Sequence, residues 1–319
     1  MKNLEPVFFL FTCVKDGRAY IEKLFTSLLN QTKKNFIHYI YEDGSTEPLD
    51  ELVFDYIEKA KKLETPFEVI YEKCERNIGL NKATEHCLKK CNLKYFIWMN
   101  CDDWLDGYFF ENAEKYVRKH PDFAIYRSRM ISHFDGKTSI MPCTKKESKI
   151  FNKRKQLYPC LSYQFTLNHF IGNYSLLKQV NPDIYLVDNR LIYNDVQICL
   201  PFIFKNYKMG YIKDSISHYL YRDNSEYNGA DKQLLMNFEI DKKAELFLEN
   251  FGFYQKCLNY GNDFLLSLKS KNYKNALNVL KQRKTFLKAK HISNKKVFIL
   301  NRSPIAWTIY CKLKLLQSK

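Results

Sequence analysis

Tyr95-Phe96-Ile97-Trp98-Met99-Asn100-Cys101-Asp102-Asp103-Trp104 joins an apolar run to two adjacent carboxylates. The run reads as a buried strand, and an unpaired ion in an apolar interior is very expensive. Asp102 and Asp103 are therefore expected at the strand's C-terminal end, facing water, a cation or a ligand. In open α/β sheets that edge is where ligands bind. Paired carboxylates there suit a hard divalent cation held by few protein oxygens, with water and phosphate completing its shell. Standing alone, the pair reads first as a solvated turn.

Its surroundings repeat the pattern. Residues 7–14 read as a buried strand followed by the polar turn Thr12, Lys15, Asp16 and Gly17. Tyr20, Ile21, Leu24, Phe25, Leu28 and Leu29 then recur at helical spacing. A strand over 36–41 ends at Glu42-Asp43-Gly44-Ser45. An amphipathic helix over 49–63 and a strand over 67–71 follow. The loop from Cys74 to Leu80 then opens a helix at 82–90. Strands alternating with helices predict a parallel α/β sheet. Thr12, Asp43 and Asp102/Asp103 then share one edge of it. G-x-G-x-x-G and G-x-x-x-x-G-K-[ST] are both missing, so neither a dinucleotide fingerprint nor a Walker loop is present. A diphosphate bound without a glycine cradle needs its charge neutralised by a metal, which the Asp pair offers.

Further along, a helix is expected over 109–120 and a strand over 123–127. Residues 128–180 are basic and aromatic with little periodicity, and read as loops and short elements forming a second wall of the cleft. A helix over 195–206 starts at Asp195, where capping and the helix dipole favour a carboxylate. The strand 209–212 precedes Ile216-Ser217-His218-Tyr219-Leu220-Tyr221-Arg222. An amphipathic helix is expected over 232–252.

The formal charge of +16 over 319 residues points to an anionic partner. No acidic residue follows Asp263, and lysines and arginines alternate with Phe286, Val297, Phe298, Ile305, Trp307 and Tyr310. Such a basic, aromatic helical segment reads as a binder of an anionic membrane surface, each basic residue contributing about 1 kcal/mol. The plainer alternative is a packed appendage with a solvated rim. No RNP-type or zinc-knuckle signature supports nucleic-acid binding. The ten cysteines are scattered without a C-x-x-C pair, which argues against zinc and for a reducing compartment. No apolar run approaches the roughly 18 residues of a membrane span, and no signal peptide is legible. The expected location is cytoplasmic, peripheral on the membrane's cytoplasmic face.

Several motifs stand in one order: Leu28-Leu29-Asn30-Gln31-Thr32, Glu42-Asp43-Gly44-Ser45-Thr46, and Asn77-Ile78-Gly79-Leu80-Asn81-Lys82-Ala83. Asn100-Cys101-Asp102-Asp103, Asn194-Asp195 and Tyr221-Arg222 with Ser225 follow. The set resembles the family 2 glycosyltransferases, with their N-x-G-L-G-K-A, D-x-D-D, E-D and Y-R…S segments, over about residues 7–225. Asn100 replaces the first acid of D-x-D-D, a loss known in other members. Asn194 replaces the usual Glu, and Glu85 stands where many members have Asn.

The resemblance implies a GT-A fold, a Rossmann-like mixed sheet flanked by helices, over residues 1–228. Its nucleotide-sugar half spans about 1–104 and its acceptor half about 105–228, with a helical basic region over 229–319. It implies that Asp43 bonds a nucleotide base, most often uracil, and that Thr12 lines the same pocket. Asn77 and Lys82 face the nucleotide or diphosphate. Asp102 contacts ribose or metal, and Asp103 binds Mn2+ or Mg2+, with His218 as a third ligand or phosphate contact. Arg222 neutralises the leaving phosphates, and Asp195 is the general base of an inverting transfer. Thr12 and Asp43 also suit plain turns, Lys82 a solvated helix face, Asp195 an N-cap and His218 a structural role. The expected activity moves a sugar from a nucleotide-sugar, UDP-linked, to a glycan or lipid-linked acceptor in surface polysaccharide or lipopolysaccharide assembly. A metal-dependent nucleotidyltransferase and a non-enzymatic nucleic-acid or membrane-binding module are the alternatives.

Overall fold

The computed structural model describes residues 4–140, 169–186, 207–222 and 272–289, with single positions at 198, 199, 202, 267 and 270; side chains of the last helix are described to residue 282. Among these, nine strands form one mixed sheet. The first half is built as the apolar runs dictate: β1 (Phe8–Val14), α1 (Ile21–Leu29), β2 (Phe36–Asp43), α2 (Asp50–Lys61), β3 (Glu68–Cys74), α3 (Leu80–Lys90) and β4 (Tyr95–Trp98). The pairs β1–β2, β2–β3 and β1–β4 are all parallel. Strand order therefore reverses between β1 and β4, the topological switch point at which open α/β sheets bind ligands.

Residues of alternate parity on β1 serve opposite faces. Phe8, Leu10 and Val14 join Ile21, Leu24, Phe25 and Leu28 of α1 and Val53 and Tyr56 of α2 in the main core. Phe9 and Phe11 pack on the other face against Tyr39 and Phe96, where Cys13 on β1 meets Cys87 on α3. Each such fully buried side chain contributes about 1.5–3 kcal/mol. Burial on both faces explains why β1, β2 and β4 read as continuous apolar runs rather than alternations.

The second half departs from the expected loops. After β5 (Trp104–Leu105) and α4 (Phe109–Lys119), residues 125–140 form β6 (Ile125–Phe134) and β7 (Lys137–Ile140), an antiparallel hairpin. β8 (Phe170–Asn173) lies antiparallel between β4 and β6 and leads into α5 (Tyr174–Val180). The strand expected over 209–212 runs on through residue 220 as β9 (Met209–Leu220), parallel to β6 with a register shift at Ser128/Arg129. The resulting order is β3-β2-β1-β4-β8-β6-β9-β5, with β7 on β6. Gly172 on β8 lets the strand close on β4, since a Cβ there would stand 2.1 Å from the Phe96 ring.

A separate unit contains α6 (Tyr273–Ala289), whose Ala276 and Val279 are buried with Tyr273, Leu277 and Leu280 packed around them. The helices expected at 195–206 and 232–252, and most of the basic region, lie outside the described residues. No described helix is long and apolar enough to cross a membrane.

Candidate active site

At the end of β2 the Asp43 carboxylate is buried, and both its oxygens accept backbone amides. Oδ1 takes Ile78 N–H at 2.7 Å and Oδ2 takes Gly79 N–H at 3.0 Å. The exposed Asn77 side chain also accepts from Gly79 N–H at 2.7 Å. Asp43 thus shapes the turn that opens α3, the loop identified by the N-x-G-L pattern. Thr12 does not face the cleft with its side chain. Its hydroxyl is fully buried and hydrogen-bonded to His38 Nε2 at 3.2 Å, and His38 Nδ1 in turn meets the Tyr56 hydroxyl at 3.0 Å. Burial lowers the His38 pKa to about 3, so the ring stays neutral.

Lys82 lies with its ammonium 3.1 Å from Glu85 and 4.9 Å from the centre of the Tyr185 ring. Glu85 also receives Lys89 Nζ at 2.6 Å and the Leu186 amide at 3.1 Å. Burial alone would raise the Glu85 carboxyl. The bonds from Lys89, Leu186 and Lys82 outweigh it and hold the group below its ordinary range. Glu85 is thus a charged hub between α3 and the segment after α5.

The two carboxylates after β4 have opposite surroundings. Asp103 is fully buried. Its Oδ2 accepts from Asn100 Nδ2 at 2.8 Å and from His169 Nε2 at 2.7 Å, and its Oδ1 from Leu220 N–H at 2.9 Å. It ties the β4 turn to the start of β8 and the end of β9. Asp102 faces Arg222, whose Nη2 stands 2.5 Å from Oδ2, and the Arg222 guanidinium lies over the Tyr20 ring at 4.2 Å. Burial, then the charge of Asp103, raises the Asp102 pKa, and Arg222 only partly opposes them.

His218 belongs to another cluster. Its Nε2 bonds Asp106 Oδ1 at 2.7 Å, its Nδ1 meets His133 Nε2 at 2.9 Å, and its ring stacks on Trp104. Lys23 Nζ lies 3.2 Å from the centre of the Trp104 ring. Burial, then His218 and Lys23, lowers the His133 pKa.

These positions bear on the expected metal centre. Asp103 already accepts from Asn100, His169 and Leu220, and both His218 nitrogens are bonded to Asp106 and His133. Asp102 alone of the three presents a carboxylate at the cleft, and one of its oxygens is taken by Arg222. No described group of three or more His, Cys, Asp or Glu is arranged to hold a metal. The described residues do not fit the expected three-ligand cation site. Asp195 lies outside them. The sequence reading did not find Tyr20, buried in the α1 helical pattern, or His169, which stands in a stretch without periodicity.

The strand-end edge therefore carries a carboxylate-built loop after β2 and a carboxylate–guanidinium pair after β4 and β9, on the edge where the strand order reverses. The model of Glycosyl transferase family 2 matches residues 10–208. Over 115 residues, 36% of this chain, the sequence is 27% identical to an uncharacterized glycosyltransferase of Haemophilus influenzae; the match spans about a third, 34%, of that relative. The fold is similar to that of S. aureus TarS 1-349 in complex with UDP-GlcNAc, with a TM-score of 0.63 at 16% identity, over 98% of this chain and 92% of that one. TarS 1-349 without that ligand in its description gives 0.59 at 17% identity over the same shares. The family match covers well over half of the sequence, including the strand ends just described: the chain belongs to glycosyl transferase family 2.

Proposed function

We propose that the chain is an inverting glycosyltransferase that moves a sugar from a UDP-sugar to a hydroxyl of a glycan or lipid-linked acceptor, in the assembly of a surface polysaccharide. The observation that carries this reading is the Asp102–Arg222 pair beside the Asp43-built loop at the switch point. The complex of TarS with UDP-GlcNAc supports the choice of nucleotide. Each Asp43 oxygen keeps a second lone pair for the uracil N–H. Asn77 borders the nucleotide from the same loop. Arg222 stands where the diphosphate gathers charge as the anomeric bond breaks, and a guanidinium pre-placed in a partly dry site stabilises that charge without reorganising. Asp195 is the proposed base, taking the acceptor's proton as its oxygen attacks from the face opposite the diphosphate.

Residues 1–228 form the catalytic domain in this proposal. The basic region over 229–319 holds it at an anionic membrane surface on the cytoplasmic side, near a lipid-linked acceptor. A panel of nucleotide-sugars with Mn2+ or Mg2+ tests the reaction by the product released. Nucleoside diphosphate supports transfer, whereas pyrophosphate, or no release with any sugar, counts against it. Asp195→Asn is expected to lose transfer while keeping UDP binding. Unchanged turnover in that variant removes the base assignment.

A further inference from the structure

We propose, resting on the transferase reading above, that Tyr20 is a positioning residue that holds the Arg222 guanidinium for the second phosphate of the nucleotide.

Tyr20 stands immediately before α1, and its amide and that of Ile21 both donate to the Gly17 carbonyl, at 3.0 and 3.2 Å. That turn is seated on the β4 loop. A Cβ at Gly17 would come within 2.6 Å of Cys101 Sγ, so only glycine allows this approach. The turn bearing Tyr20 and the loop bearing Asp102 are thereby held at one spacing. Arg222 bridges them: its Cζ lies over the Tyr20 ring, 4.2 Å from its centre, and its Nη2 is 2.5 Å from Asp102. Burial lowers the Arg222 pKa, and a side-chain hydrogen bond with Tyr20 and the charge of Asp102 outweigh it, so the net shift is upward.

An arginine side chain carries about 2 kcal/mol of rotamer entropy, and that freedom must be lost before its fork can meet a phosphate. Ring stacking engages the flat face of the guanidinium and leaves its N–H groups along the edge, the geometry for bidentate oxygen recognition. A carboxylate alone fixes one nitrogen but not the plane. Tyr20 supplies the plane. The late Tyr-Arg segment of the sequence points to Arg222, and nothing in it points to Tyr20, some two hundred residues earlier.

The test compares Tyr20→Leu and Tyr20→Phe with the parent chain by two readings. Calorimetry with UDP and UMP isolates the second phosphate, and steady-state turnover of a nucleotide-sugar separates kcat from KM. The parent is expected to bind UDP about tenfold tighter than UMP; Tyr20→Leu lowers that preference to about twofold at unchanged UMP affinity, and Tyr20→Phe, which keeps the ring and loses the hydroxyl, recovers part of it. Turnover of Tyr20→Leu is expected to fall about tenfold in kcat with little change in KM. A parent-like preference for UDP in Tyr20→Leu overturns the proposal. So does an equal loss of UMP and UDP affinity, which makes Tyr20 a nucleoside contact. Should the leucine variant not fold, Tyr20→Gln takes its place under the same criteria. A parent that shows the UDP preference yet releases no nucleoside diphosphate overturns the transferase reading alone.

Discussion

His38 is a histidine that folding keeps neutral, with its pKa pushed down to about 3 by burial. The unfolded chain binds a proton near pH 6.5 that the native chain refuses, so stability falls as pH drops from about 6.5 toward 3, by up to about 1.4 kcal/mol per unit from this group. Denaturant midpoints measured across that range are expected to show this slope, and His38→Gln to flatten it. Asp102 has the opposite sign. Its carboxyl is raised by burial and by Asp103, so its charge weakens the fold above the raised value, and that cost lifts as pH falls. Its effect on turnover runs the other way, because protonation removes the anionic partner of Arg222. The acid limb of a kcat profile is expected above the ordinary aspartate value of about 3.9, and Asp102→Asn to abolish that limb at a much lower plateau. A limb unchanged in that variant would show that another group sets it.

At the scale of the element, β8 depends on a missing side chain. Gly172 faces Phe96 so closely that Gly172→Val must displace the ring or part β8 from β4. A loss of about 2–4 kcal/mol is expected, read as a lowered thermal midpoint, with Phe96→Ala in the same background recovering part of it. The strands legible in the sequence were those buried on both faces, where Phe8 to Phe11 or Tyr95 to Trp98 leave no alternative. β6 and β9 were legible only in their first residues, 123–127 and 209–212, because their later inward positions carry serines. Ser128 and Ser217 are both buried and bond each other at 2.8 Å, and Ser215 donates to the Phe109 carbonyl at 3.0 Å. A polar residue satisfied by a cross-strand partner looks, in one dimension, like a loop residue. The same blindness applied to the acidic pair. Asp102 and Asp103 are adjacent letters, and only the arrival of Leu220 N–H and His169 decides which is sealed. The sequence identified the edge and the loop of the site; Asp103 and His218, expected at a cation or phosphate, are bonded to protein partners that no motif announces.

For the whole molecule, charge is the property without a described seat. The excess of +16 and the acid-free stretch after Asp263 fall mainly outside the described sheet. If they hold the catalytic domain at an anionic bilayer, the full chain is expected to co-sediment with vesicles containing phosphatidylglycerol and to leave them between about 0.1 and 0.5 M salt, as screening shortens the reach of each charge. Equal recovery on neutral phosphatidylcholine vesicles would show that apolar contact, not charge, drives association.

Asp103 also has a meaning in time. Its amide partner, Leu220, lies 117 positions further along the chain, and its imidazole partner, His169, 66 positions. A ribosome emits the β1–β4 half long before either arrives, so a nascent chain must keep this carboxylate hydrated until β9 slots beside β6. Contacts at such separation form late, and donor loop and arginine are united only then. A chain stalled short of residue 220 would own half a cleft and an exposed seam, the kind of intermediate that calls for a chaperone.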